Sequence, residues 1–312
     1  MHAADGGKDI ARRAAELCGG ALSYLQEGRN HVKYITRKVF ISSEGRPMNL
    51  LLLCPKGSTP PAGRPGVLWI HGGGYITGMP EMVYMSRAKN LVKKYGAVVV
   101  CPDYRLAGAA PYPAALLDCH NALAYLKTHA AQLGVRDDQI MVGGESAGGG
   151  LTAALCMYEK DIGGIHIAFQ MPLYPMLDNE DTESSRNNHA PVWNTRRNHY
   201  GWARYLRGIR EEPVPAYAAP ARCTDYTGLP PAYSFVSTAE PFYAETLTYI
   251  ENLKQAGVAA SGDVYPGLFH AFDMLLPFLK VSRRAAAAFE AHFERAMHSC
   301  FAEQTHRDSG IE

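Results

Sequence analysis

A chain of 312 residues with 47% hydrophobic side chains can bury a large core, and with 31 basic against 30 acidic side chains its formal net charge is +1. A balance so close to neutral gives no electrostatic reason to expect nucleic acid or an anionic membrane as a partner. No apolar run approaches the length of a membrane-spanning helix and residues 1–20 lack a secretory-type apolar stretch, so a cytoplasmic protein without stable membrane insertion is expected.

In chain order, Asp9 to Gly28 reads as an amphipathic helix, followed by strand-like runs at Lys38 to Ile41 and Met48 to Cys54. After this pair, strands at Gly66 to Ile70, Ala97 to Cys101, Ile140 to Gly143, His166 to Met171, Tyr233 to Ser237 and Ser261 to Tyr265 alternate with helical segments. The pattern predicts an α/β fold: a mostly parallel eight-stranded sheet with an antiparallel start, helices on both faces, and active residues at the carboxyl ends of strands. Residues 1–35 and 177–227 do not fit the alternation and are read as a cap over the site. That leaves 36–176 and 228–298 as the core and 299–312 as a polar tail expected to be disordered. The cap segment carries Trp193, Trp202, Tyr200 and Tyr205; at helical spacing, His199, Trp202 and Tyr205 read as the cap's own packing rather than as a pocket lining.

Two glycine-rich stretches carry chemistry, each following an apolar strand. Gly144-Glu145-Ser146-Ala147-Gly148 lies between the strand ending at Gly143 and a helix from Ala147 to Tyr158. A serine at the apex of such a turn takes a strained backbone, and the flanking glycines let strand and helix pass close beneath it. A lone Gly-x-Ser-x-Gly match also occurs by chance; here the flanking elements are correct. The Ala147 amide, on the first turn of the helix, is an unpaired donor aimed where charge would develop on an attacked carbonyl. Upstream, His71-Gly72-Gly73-Gly74 supplies further unshielded amides, with Gly73 and Gly74 as the candidate donors and His71 as a brace for its loop.

A serine hydroxyl needs a base, and the base needs an acid, in the chain order Ser, Asp or Glu, His. Of the histidines after Ser146, only His270 lies in a loop between a strand and the last helix; His166, His189, His199, His292, His298 and His306 fall in a strand, a polar stretch, a helix or the tail. Glu240 follows the Tyr233 to Ser237 strand and is the candidate acid, although a carboxylate there would equally complement a helix dipole. Asp178, Asp181, Glu183 and Asp225 satisfy the order but lie in loops or in the mid-chain segment, and Glu245 lies a turn further along.

From Arg64 to Phe272 the chain resembles the hormone-sensitive-lipase group of α/β-hydrolase esterases. The likeness rests on the two glycine motifs together with Asp103-Tyr104-Arg105-Leu106-Ala107, Tyr112-Pro113-Ala114-Ala115, Gly228-Leu229-Pro230-Pro231, Glu240-Pro241 and His270-Ala271-Phe272. The resemblance implies Ser146 as nucleophile, His270 as base, Glu240 as acid, and Gly73, Gly74 and Ala147 as oxyanion donors, the same six residues. It also implies short-acyl esters as substrates. The chain departs from the family in having Glu240 for the usual Asp, which places the carboxylate one methylene further from its backbone. Ala271 stands for the usual glycine, Gly108-Ala109 for the usual Pro-Glu, and Glu145 beside the serine is expected to anchor neighbouring loops or to discourage anionic substrates.

The seven cysteines, at 18, 54, 101, 119, 156, 223 and 300, are odd in number and lack Cys-x-x-Cys spacing, which speaks against a disulfide framework and a zinc site. No nucleotide motif is present either, so no metal and no cofactor is expected. The expected partner is a small-molecule ester. A peptidase, amidase or acyltransferase would use the same machinery, a non-catalytic binding protein could share the scaffold, and the oligomeric state, homodimer included, stays open.

Overall fold

The computed structural model describes residues 33–210 and 214–304, so the helix expected over Asp9 to Gly28 lies outside the described residues. Strands β1 (Tyr34–Ser43) and β2 (Arg46–Pro55) form an antiparallel hairpin. Its two turn residues, Glu44 and Gly45, both have positive φ, the geometry whose twist matches paired strands. Then follow β3 (Arg64–Ile70), α1 (Ala88–Tyr95), β4 (Val98–Pro102), α2 (Ala114–Thr128), the single turn α3 (Ala130–Leu133), β5 (Val135–Glu145), α4 (Ala147–Ile162) and β6 (Phe169–Leu173). The chain closes with α5 (Thr195–Tyr205), β7 (Ala232–Ser237), α6 (Tyr243–Gln255), β8 (Ala260–Tyr265), the short α7 (Phe272–Leu275) and α8 (Lys280–Ser299).

The eight strands form one sheet in the order β1-β2-β4-β3-β5-β6-β7-β8, parallel from β4 onward and antiparallel at β1, β2 and the β2 junction with β4. The side-chain period of two divides the core between the faces. Leu68 and Ile70 of β3 point with Leu50, Leu52, Val98 and Val100 toward α2, α4 and α6, whereas Val67 and Trp69 point with Leu51, Leu53 and Val99 toward α1 and α8. After β3 the chain moves to β4 on one side and returns to β5 on the other. The carboxyl ends of β3 and β5 therefore flank the crevice where the strand order reverses, the usual ligand site of such sheets.

Most strands extend beyond the runs expected from sequence, β1 by four residues at its start, and three differences have a clear physical cause. β5 starts at Val135, paired with Arg64, because Arg136, Asp137 and Asp138 lie on a strand end too exposed to show an apolar run. β6 is Phe169–Leu173, and His166 stands before it, its ring beside the Glu303 carbonyl at 2.6 Å. The strand expected from sequence ends at Met171, whereas β6 continues through Pro172, a residue unusual within a central strand. Residues 300–304 are tethered: the Ala302 amide donates to Asp138 at 2.8 Å and Gln304 bonds both backbone groups of His166.

Candidate active site

Ser146 sits at the junction of β5 and α4 with φ 59° and ψ −120°, a strained conformation for a residue with a side chain. The junction is held from below. A β-carbon at Gly148 would stand 2.0 Å from the Ile70 carbonyl oxygen, so only glycine lets α4 rest on the end of β3. The Ser146 amide donates to Leu173 at 3.0 Å, and its carbonyl accepts from Gly150 and Met176, which leaves the side chain as the one group facing outward.

The loops after β7 and β8 bring Glu240 and His270 to this serine. His270 Nε2 lies 2.9 Å from Ser146 Oγ, and His270 Nδ1 contacts Glu240 Oε2. The longer glutamate arm bends back: Glu240 Oε1 accepts the Ser237 amide at 2.9 Å, which fixes the carboxylate while its other oxygen orients the ring. All three side chains are buried. Four of the five rival acids are engaged elsewhere, Asp178 with Arg222, Asp181 with His199, Asp225 with Lys160, and Glu245 with the amides of Leu177 and Asp178.

On the other side of Ser146 lies the loop after β3. Among the described residues, the amides of Gly73, Gly74 and Ala147 donate to no backbone acceptor. The His71 ring N–H donates to the Gly72 carbonyl at 2.8 Å, the ring stacks on Tyr104 at 4.2 Å between centroids, and the Tyr104 hydroxyl donates to the His71 carbonyl at 2.9 Å. Burial pushes the His71 imidazole down to about 4, so it stays neutral and acts as a brace.

Beneath the triad is a buried polar cluster that sequence reasoning did not assemble. The Trp69 indole donates to Glu145 Oε2 at 2.8 Å, while Glu145 Oε1 has no hydrogen-bond partner. Burial first, and the charge of Asp273 second, push Glu145 up to about 8. Asp273 accepts the Tyr174 hydroxyl at 3.0 Å and faces Arg87 Nε at 3.1 Å, an ion pair out of line for a hydrogen bond; Arg87 Nη2 donates to the Asp273 carbonyl at 2.9 Å. The Tyr174 ring meets His270 edge-on at 5.0 Å, so the cluster touches both neighbours of the proton path. Arg87 and Asp273 are 186 positions apart and lie in no motif, which is why no pattern signalled them.

Above the site, α5 packs on the glycine loop. Tyr75 stacks on Tyr205 at 3.9 Å and leans on Trp202 at 5.3 Å, so these two aromatics pack against the core rather than only within their own segment. His199 is exposed beside Asp181. Trp193 reaches furthest inward: a β-carbon at Gly74 would lie 2.0 Å from its Cη2 atom, and its ring centroid is 6.4 Å from that of His270. Among the described residues there is no cluster of His, Cys, Asp and Glu suited to a metal ion, and no helix is long and apolar enough to cross a membrane.

Comparison with known proteins agrees with this architecture. Residues 67–274 match the model of a family described as alpha/beta hydrolase fold. The chain is 32% identical to Esterase LipI of Mycobacterium tuberculosis over 70% of its own length and 68% of that protein. It is 31% identical to Carboxylesterase NlhH of the same species, covering 75% of each chain. Among solved structures, a bacterial heroin esterase superposes with a TM-score of 0.84 at 31% identity, covering 92% of both chains.

Proposed function

The chain belongs to the α/β-hydrolase fold family, as a carboxylesterase of its hormone-sensitive-lipase group, and from that premise we propose that it hydrolyses small carboxylic esters through Ser146, His270 and Glu240. The observation that carries the reading is the His270 ring lying between Ser146 Oγ, at 2.9 Å, and the Glu240 carboxylate. In this scheme His270 takes the serine proton as Oγ attacks the ester carbonyl, and Glu240 holds the ring with Nδ1 protonated and stabilises the imidazolium. The tetrahedral oxyanion is received by the amides of Gly73, Gly74 and Ala147. The intermediate collapses when His270 returns the proton to the leaving alcohol. Water then enters, His270 takes its proton, and the second collapse frees the acid and restores Ser146.

Each oxyanion donor is worth about 3 kcal/mol of barrier, and general-base assistance contributes about 10²- to 10⁴-fold. The segment between β6 and β7 acts as the cap over the site. A cytoplasmic location fits the six free cysteines among the described residues. Ser146→Ala should reduce p-nitrophenyl acetate hydrolysis by about 10⁴-fold or more and abolish labelling by a fluorophosphonate, with the melting temperature little changed. Substantial turnover or labelling in that variant rules out Ser146 as the nucleophile.

A further inference from the structure

The loop after β3 is built on Gly72, Gly73 and Gly74, the residue type with the most conformational freedom to lose, so its shape has to be imposed by neighbours. Part of that work is internal. The Gly73 carbonyl accepts the amides of Ile76 and Thr77 at 3.1 and 3.0 Å and the Thr77 hydroxyl at 3.3 Å. A peptide group is a rigid plane, so these bonds also orient the Gly74 amide, which shares that plane. All of them stay within residues 73–77. They set the shape of the turn and leave its distance from Ser146 to whatever the turn rests on.

Further along the turn, Tyr75, at a positive φ of 63°, has three external ties: its ring stacks on Tyr205, its hydroxyl donates to the Met176 carbonyl at 2.9 Å, and its carbonyl accepts the Ala107 amide at 2.7 Å. Gly74 has none of this kind. It is buried, yet among the described residues neither its amide nor its carbonyl makes a hydrogen bond. Its external contacts come from one element. The benzo edge of Trp193 lies where a β-carbon of Gly74 would point, 2.0 Å from that position, and the backbone of α5 meets the other side, where a β-carbon at Gly201 would stand 2.9 Å from the Gly74 carbonyl oxygen. The indole is aimed by the start of the same helix. Asn194 caps α5 by accepting the Arg197 amide at 3.2 Å, and Trp193, one residue before the cap, donates its indole N–H at 3.3 Å to Asn198, four residues after it. Those are the two positions that a staple joins at a helix start, and Asn198 is buried.

We propose that Trp193 is a positioning residue for the oxyanion hole: clamped between its indole and Gly201, Gly74 is held where its amide meets the forming oxyanion. The inference rests on the serine mechanism above. A donor acts only within about 2.7–3.1 Å of the oxyanion, and a misplacement of about 1 Å can cost about 10²-fold in rate. Without the indole, nothing else among the described residues covers that side of Gly74, and the turn can drift by such a distance while its internal bonds stay intact. The cap segment therefore serves the chemistry through the backbone it presses on, without touching a reacting atom.

The test compares two inhibitors on the full chain, trifluoromethyl butyl ketone and methyl butyl ketone, beside kcat/KM for p-nitrophenyl acetate. Ser146 Oγ adds to the fluorinated carbonyl, whose oxygen becomes an oxyanion while His270 keeps the proton; the methyl ketone binds without being attacked. Trp193→Ala should lower kcat/KM by about 10- to 100-fold and weaken the fluorinated ketone by a comparable factor, with the affinity for the methyl ketone unchanged. Trp193→Phe, which keeps a ring over Gly74, should recover part of both losses. Gly201→Ala raises the helix propensity of α5 while pressing a methyl group on the Gly74 carbonyl. It should give the same pattern, and it serves as the second variant should Trp193→Ala fail to fold. An unchanged ratio of the two ketone affinities in the folded variants overturns the proposal, and so does equal weakening of both ketones, which would make the indole a wall of the binding pocket. Fluorophosphonate labelling separates the two levels: a labelled parent with unaltered ketone ratios in the variants refutes the positioning role alone, whereas a parent that takes no label refutes the serine mechanism.

Discussion

Glu145 stands one residue before Ser146 and carries an unusual burden, a carboxyl group closed off from water with one oxygen bonded to Trp69 and the other without a partner. Burial raises it from the ordinary value of 4.5 to about 8. Between those two values the folded protein holds a proton that the unfolded chain has lost. The resulting contribution to stability is fully present below pH 4.5, drains away as pH rises toward 8, and is gone above it. Glu145→Gln keeps a carbonyl for the Trp69 indole and removes the titration. The variant should therefore lose less melting temperature than the parent between pH 5 and pH 8, and should be the more stable protein at pH 8.5. Burial also raises Asp273 and Glu245, which add slopes of the same sign to both proteins, so the difference between the two melting curves reports Glu145 together with its charge coupling to Asp273. Parallel curves would mean that the carboxyl ionises without cost.

At the scale of elements, the contact between α4 and β3 decides where Ser146 stands. A methyl group at Gly148 would meet two backbone oxygens, Ile70 at 2.0 Å and His71 at 2.5 Å, neither of which can swing aside as a side chain can. Gly148→Ala should cost about 1–3 kcal/mol or more in urea unfolding and should lower kcat/KM sharply by lifting the serine from the histidine. Gly108→Ala, where a β-carbon meets nothing within 4 Å, is the control and should fall within about 0.5 kcal/mol of the parent. Equal behaviour of the two would dissociate the glycine spacing from the geometry of the turn. This junction was legible in the sequence because the strand, the glycine pair and the helix are adjacent in the chain, and the central strands were legible because, buried on both faces, they appear as short continuous apolar runs. What sequence could not supply was the end of a strand under charge, as at Arg136 to Asp138 of β5, or a strand carrying proline, as at Pro172 of β6. The position of Trp193 was equally hidden: its residue type suggested a cap aromatic, but its packing on Gly74 depends on how an insertion folds back over a loop more than a hundred positions earlier, and no local pattern encodes that return.

Across the whole molecule, the triad residues follow β5, β7 and β8 while the glycine loop follows β3, and Arg87 ties the amino-terminal half of the sheet to the loop that carries His270. It stands at the amino-terminal boundary of α1, between β3 and β4, where its side chain makes no capping bond, and its guanidinium is spent on Asp273, at the start of the short helix that follows His270. The pair is almost fully enclosed, with side-chain exposures of 9% and 0%. Removing one partner of such a pair is far more costly than the pair is worth, because the remaining group is left buried without compensation. Arg87→Met should lose about 3–5 kcal/mol of stability, and the loss should depend on pH. Burial raises Asp273 and Arg87 lowers it, so without the guanidinium the carboxyl rises further above its unfolded value. A group raised in the folded state stabilises it fully below its unfolded value and loses that contribution as pH increases, so the deficit of Arg87→Met against the parent should be small near pH 4.5 and widen toward pH 8. Adding Asp273→Leu to Arg87→Met removes the stranded carboxyl and should flatten that widening, recovering part of the stability at pH 8 without recovering it at pH 4.5. Urea denaturation of the three proteins at the two pH values measures this directly. A deficit independent of pH would assign the loss to packing of the arginine stem and the Asp273 carbonyl contact instead of to the charge, and would leave His270 held by Glu240 and Tyr174 without help from the amino-terminal half.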